Sequence, residues 1–211
     1  MGCHGAINGL RVARPLAMEG SRVLLCAVEL CSLHFHNGWN PQKLVANALF
    51  ADGAAAAVLG RPDAAAPDAP DPWRIVSTGS CLIPDSHDAM TWDIEDHGFA
   101  MTLSPQVPEL IEQHLPSWLA GWLSASSLSP AQVKSWIVHP GGPRVVGAVE
   151  SVLGLKPSDT AASRDVLAEC GNMSSPTILF ILERLRRINA PRPCVALGFG
   201  PGLTAEGVLI V

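Results

Sequence analysis

A chain of 211 residues, 48% hydrophobic and 16% charged, has the make-up of a well-packed soluble protein: one ordinary domain, or two small halves sharing a sheet. Its net charge is −5 and no Lys/Arg cluster stands out, which argues against nucleic acid as a partner. No apolar run reaches the roughly 18 residues of a bilayer span, and no charged n-region precedes an apolar h-region, so neither membrane insertion nor a signal peptide is expected.

In chain order, residues 4–18 predict a helix with apolar residues on most sides, hence buried. Arg22 to Glu29 predicts a strand buried on both faces. A loop at 37–41 leads to a short helix through Phe50, and Ala51-Asp52-Gly53 turns into a small-residue strand, Ala54 to Leu59. Residues 61–72, rich in Ala, Pro and Asp, predict a linker between a first unit, 1–60, and a second, 73–211.

The second unit opens with a strand from Trp73 to Leu82 and a hairpin-like segment reaching Phe99 to Leu103. A long helix is expected over Val107 to Leu123, and Ser129-Pro130 starts a short one with Pro at its first position. Lys134 to Val138 reads as a strand ending in His139. Helices over 143–153, 159–168 and 175–188 follow, and strands Val195 to Phe199 and Ala205 to Val211 close the chain. The order of elements after Gly2-Cys3 (helix, strand, strand) recurs after Gly171-Asn172, which predicts a duplicated α/β architecture with both turns facing a shared site.

Six cysteines without a CxxC spacing predict neither a disulfide framework nor a structural zinc site, and fit a reducing cytoplasm. Cys26, Cys31 and Cys194 lie in apolar runs where a free Cys packs as a small hydrophobe. His34-Phe35-His36 has no further ligand at suitable spacing, so no metal is expected.

Three short segments carry chemistry. Cys3 stands between small residues in Gly2-Cys3-His4-Gly5, His139 precedes Pro140-Gly141-Gly142-Pro143, and Asn172 lies in Gly171-Asn172-Met173-Ser174-Ser175. A Cys, a His and an Asn at the edges of Gly-rich turns suit acyl transfer and carbanion chemistry on thioesters. A helix N-terminus and a nearby imidazolium would lower the thiol's pKa and hold an ion pair. The same residues, taken singly, equally fit an inert buried Cys, a satisfied core His, and an Asn capping the helix over 175–188. Phe50 equally fits a core aromatic. Gly198-Phe199-Gly200-Pro201-Gly202 is not a phosphate loop, because no Gly-Lys-Ser/Thr follows.

Together with Glu29, Ala48-Leu49-Phe50-Ala51-Asp52-Gly53-Ala54-Ala55, Trp136 to Pro143 and Gly198 to Thr204, these segments resemble, in order and spacing, the type III polyketide synthases. These form the chalcone synthase-like family of the thiolase superfamily. The stretch from Thr91-Trp92-Asp93 to Pro108-Glu109-Leu110-Ile111 looks more like bacterial members. The resemblance implies an α/β fold of duplicated thiolase-like halves, layered α/β/α/β/α. Here the N-terminal half would be incomplete, because the region that precedes the nucleophile in the family is missing; the chain looks like a C-terminal portion.

The resemblance also implies roles. Cys3 would hold a starter acyl group, and His139 and Asn172 would polarise the thioester carbonyl of malonyl-CoA as it loses CO₂. Phe50 would gate the CoA tunnel; Met101, Ser174 and Pro201 would line the cavity, with Cys31 and His34 near variable cavity positions. Gly141 and Arg144 would lie along the pantetheine arm. No cofactor is implied beyond the substrates, an acyl-CoA starter and malonyl-CoA, and the full-length form would be a cytoplasmic homodimer. Two other readings stay open. One is a ketoacyl synthase III-like condensing enzyme, against which the residues after His139 argue. The other is a non-catalytic fragment with uncovered strand edges.

Overall fold

The computed structural model describes residues 2–35, 37–39, 41–61, 72–96 and 98–211. The first elements are α1 (Gly5–Met18), β1 (Val23–Glu29), α2 (Pro41–Leu49) and β2 (Gly53–Leu59). Then come β3 (Ile75–Leu82), β4 (Met90–Glu95), β5 (Gly98–Leu103), α3 (Val107–Ser124), β6 (Ser135–Val138) and α4 (Pro143–Leu153). The chain ends with α5 (Ala161–Cys170), α6 (Pro176–Arg187), β7 (Cys194–Gly200) and β8 (Thr204–Ile210). The expected linker falls almost wholly on residues outside those described. The short helix expected at Ser129-Pro130 is a single 3-10 turn, Pro130–Gln132, on which the Ser129 N–H donates to Gln132 Oε1 at 2.8 Å.

β7 shows why the fold is layered. Val195, Leu197 and Phe199 belong to one apolar core, while Cys194 and Ala196 belong to another. Successive strand residues point to opposite faces, so both faces of this strand are buried. β7 is central in a sheet of order β3-β8-β7-β6, parallel to β6 and antiparallel to β8. Over one face lie α3 and α4. α3 presents Val107, Ile111, Leu115, Leu119 and Leu123, an unbroken i, i+4 stripe with every member 2% exposed or less. Over the other face lie α1, α5 and α6.

β1 and β2 form an antiparallel pair on the far side of α1 and α6, joined to the same core through Leu25, Ala27, Ala55 and Ala57. The layers therefore run α/β/α/β. The outer face of β1–β2 is open: Leu24, Val28 and Val58 are 64%, 63% and 71% exposed. This corrects the expectation of a strand buried on both faces. α1 is likewise buried on one face only, through Ala6, Ile7, Leu10, Ala13 and Ala17, while Val12, Leu16 and Met18 are exposed. Apolar composition shows what a face can bury, not whether anything covers it. Cys26, expected to pack, lies exposed on that open face, whereas Cys194 is fully buried; all six cysteines are free thiols.

Among the described residues no cluster of three or more His, Cys, Asp or Glu is placed to hold a metal ion, and no helix is long and apolar enough to cross a membrane.

Candidate active site

Cys3 sits in a turn closed by the Gly5 N–H donating to the Gly2 carbonyl at 2.8 Å, just before α1. It is 5% exposed. His139 continues β6 by one ladder bond, its N–H donating to the Leu197 carbonyl at 2.8 Å, and Pro140 to Gly142 then turn the chain into α4. Asn172 lies between α5 and α6. Its N–H donates to Leu49 O and its carbonyl accepts from Ala51 N–H, both at 2.9 Å, so it forms a parallel bridge with Phe50. Gly171 must be small and left-handed here: its φ is +72°, and a Cβ would stand 2.9 Å from Ala51 Cβ.

Cys3, His139 and Asn172 line one narrow cavity of about 20 Å³, with Phe50, Met101 and Gly141 in its wall. That is room for a single water-sized group. Its polar atoms are unused: both ring nitrogens of His139, one a donor and one an acceptor in the neutral ring, and Nδ2 of Asn172 are buried with no hydrogen-bond partner. Orphaned buried donors are rare and call for an explanation. The Asn172 amide is held in orientation, because its Oδ1 accepts from the Ser174 N–H at 2.9 Å.

Burial sets the protonation of this site. It pushes the Cys3 thiol up to about 11, with Glu29 adding to the rise and the nearby Ser174 and Asn172 side chains opposing it. It pushes the His139 imidazole down to about 3, with His4 contributing. The site therefore favours a neutral thiol and a neutral imidazole, where the sequence predicted a thiolate–imidazolium pair. Burial penalises each charge more than the turn before α1 rewards it.

Two larger cavities flank this chamber. One, of about 360 Å³, is bounded by Cys31, His34, Phe50, Trp92, Phe99 and Met101. Phe50 and Met101 belong both to it and to the small chamber, so they stand between the two. The other, of about 470 Å³, is bounded by His4, Cys31, His34, Trp92, Ser174 and Pro201, among others. The structure thus places Cys3, His139, Asn172, Phe50, Met101 and Gly141 on the small chamber, Cys31 and His34 on both larger cavities, and Ser174 and Pro201 on the second of them. Arg144 stands apart on α4, exposed, its Nη2 donating to the Pro105 carbonyl at 3.4 Å.

Sequence reasoning missed His4, Trp92 and Phe99 as wall residues. Trp92 pairs with Met101 across the β4–β5 hairpin, and Phe50, His34 and Phe99 all meet its ring edge-on at 6.1–6.4 Å between centroids. Strand alternation from Met101 could have found Trp92. Nothing local marks His4.

Profiles of two families match this chain: chalcone and stilbene synthases, N-terminal domain, over residues 1–63, and chalcone and stilbene synthases, C-terminal domain, over residues 74–211. The chain is similar over its whole length to the crystal structure of PKS-I from the brown alga Ectocarpus siliculosus, with 35% identity and a TM-score of 0.93. It is similar, again over its whole length, to the C-terminal type III polyketide synthase domain of Steely1, a type I/III hybrid from Dictyostelium, with 29% identity and a TM-score of 0.87. It spans 58% and 60% of the lengths of those two chains.

Proposed function

The chain belongs to the chalcone and stilbene synthase family, the type III polyketide synthases of thiolase-like fold, and from that premise we propose that it condenses malonyl-CoA onto a starter acyl group held by Cys3. The observation that carries this reading is the pair of unpartnered donors, His139 and Asn172, sharing a narrow chamber with the Cys3 thiol.

Loading starts from the neutral pair. The Cys3 proton passes to a ring nitrogen of His139 as sulfur attacks the acyl-CoA carbonyl, and the departing CoA sulfur takes that proton. The charge separation is transient, which suits a site where burial opposes a standing ion pair. A malonyl thioester then places its carbonyl oxygen between the His139 ring N–H and Asn172 Nδ2. Loss of CO₂ leaves an enolate whose oxygen is met by two neutral donors, neither acidic enough to quench it. Phe50 presents an apolar face where the carboxylate would lie, favouring its loss. The enolate carbon attacks the Cys3 thioester, and the extended chain returns to Cys3 for another cycle, ending in cyclisation.

We place the protein in the cytoplasm, working as a homodimer on CoA thioesters without a further cofactor. The open apolar face of β1–β2 favours a second reading, in which the chain reaches working form only with a complementary polypeptide. Incubation with an acyl-CoA and ¹⁴C-malonyl-CoA, beside Cys3→Ala, tests the first. Labelled CO₂ and product that disappear in the variant support it. No turnover, restored by adding a polypeptide that covers that face, supports the second.

A further inference from the structure

His4 is 6% exposed, its Nδ1 has no hydrogen-bond partner, and its ring lies against the backbone of Gly200. It nevertheless borders the 470 Å³ cavity, beside Ser174 and Pro201. His34 borders the same cavity from the 3-10 turn after β1. Its Nδ1 accepts a hydrogen bond from the Phe99 N–H at 3.3 Å, which assigns the ring proton to Nε2. The rings of Phe99 and Trp92 pack edge-on against it at 5.3 and 6.2 Å, so the imidazole is held in place. One cavity beside the nucleophile therefore holds two imidazoles of opposite readiness. His34 is fixed as a donor, whereas His4 turns Nδ1 against Gly200, which leaves Nε2 as the nitrogen that can accept a proton from the cavity. The condensation cycle uses neither.

We propose that His4 is the general base, and His34 the anchoring hydrogen-bond donor, for ring closure and release of the polyketide chain tethered to Cys3. This rests on the condensing function above. His34 Nε2–H donates to a ketone oxygen far along the chain and folds the chain back. An enol of the same chain then loses its O–H proton to His4 as its oxygen bonds to the thioester carbon. The C–S bond to Cys3 breaks with its electron pair on sulfur, and the thiolate recovers the proton from His4. The products are a cyclic enol ester and the free thiol, with no water, oxidant or second substrate consumed. Burial lowers the basicity of His4, so it meets the chain as a neutral ring able to accept a proton. Ser174 and Glu29, which border the same cavity, both act on the Cys3 thiol, so the cavity lies at the thioester end of the chain, where closure occurs.

The test separates loading from release. The chain is mixed with an acyl-CoA and malonyl-CoA, quenched at intervals, and the adducts on Cys3 are weighed by intact-protein mass spectrometry while free cyclic product is quantified. His4→Phe fills the same space without a proton acceptor; His4→Ala leaves room for added imidazole. Both variants should still carry starter and extended adducts on Cys3, while release, measured against the adduct present in the same sample, slows by about 10²-fold or more. Free imidazole should restore release in His4→Ala and leave His4→Phe unchanged. Release at the wild-type rate in both variants overturns the proposal. Slow release without accumulating adducts or imidazole rescue also overturns it, assigning His4 to packing. Starter that never appears on wild-type Cys3 overturns the condensing function and this proposal together.

Discussion

His4 and Gly200 compete for one volume: a Cβ on residue 200 would stand 1.5 Å from His4 Nδ1 and 2.1 Å from its Cε1. Two residues earlier on β7, a Cβ on Gly198 would meet Ile7 Cδ1 at 2.8 Å. Gly198 and Gly200 of Gly198-Phe199-Gly200-Pro201-Gly202 therefore shape a seat for the turn that carries Cys3. That assigns a physical purpose to a motif whose sequence excluded phosphate binding and suggested nothing else.

Gly200→Ala should destabilise the chain by about 1–3 kcal/mol in urea unfolding, the usual cost of overpacking a buried site. Adding His4→Ala should recover part of that loss, because it removes the group the new methyl strikes. Two independent losses that simply add would show that the residues do not share the space.

Alkylation of Cys3 by iodoacetamide should be slow at neutral pH. With the thiol near 11 instead of its ordinary 9.0, the reactive thiolate at pH 7 is about 10²-fold scarcer than for an exposed Cys. The rate should climb about tenfold per pH unit toward pH 11. Fast labelling with a plateau below pH 7 would restore the standing ion pair that the sequence suggested. The experiment needs peptide-level readout, because Cys26 is exposed.

Acid stability reports on His139. Its folded value, about 3, lies below its ordinary 6.5, so the unfolded chain binds the proton first as pH falls. Between those values this residue lowers stability by up to about 1.4 kcal/mol per pH unit of acidification. His139→Gln should flatten the acid limb of a plot of unfolding free energy against pH. His4, depressed in the same direction by burial, should still contribute to that limb in the variant. An unchanged limb would mean that His139 is not held neutral.

Asn172→Asp separates orientation from donation. The new carboxylate keeps an oxygen for the Ser174 N–H but replaces the unpartnered Nδ2 with an acceptor. Decarboxylation of malonyl-CoA should fall about 10²–10³-fold, the usual cost of losing one donor to a developing oxyanion. Starter transfer to Cys3 should suffer too, though the thermal melt should show a folded chain. Full ¹⁴CO₂ release from the variant would remove Asn172 from the chemistry.

Periodicity made most elements legible. The i, i+4 stripe of α3 and the Pro residues that open α4 and α6 mark helices that depend on neighbours in the chain. The segments around Cys3, His139 and Asn172 stood out because turns demand particular residues. Burial was less legible. Arg22 to Glu29 reads as apolar on both faces, yet Leu24 and Val28 face outward. His4 went unnoticed because the residue that makes room for it lies at the other end of the chain.

The sequence by itself determined which side chains can attack, donate or accept, and where the backbone must turn to hold them. Those properties are covalent or local, set within a few residues. Only the tertiary structure decided that Cys3 and His139 share a chamber too small and dry to favour their charges, that the Asn172 donor is left unpaired, and that His4 and His34 face one cavity. Solvent access and convergence depend on contacts between distant segments, and no single segment carries them.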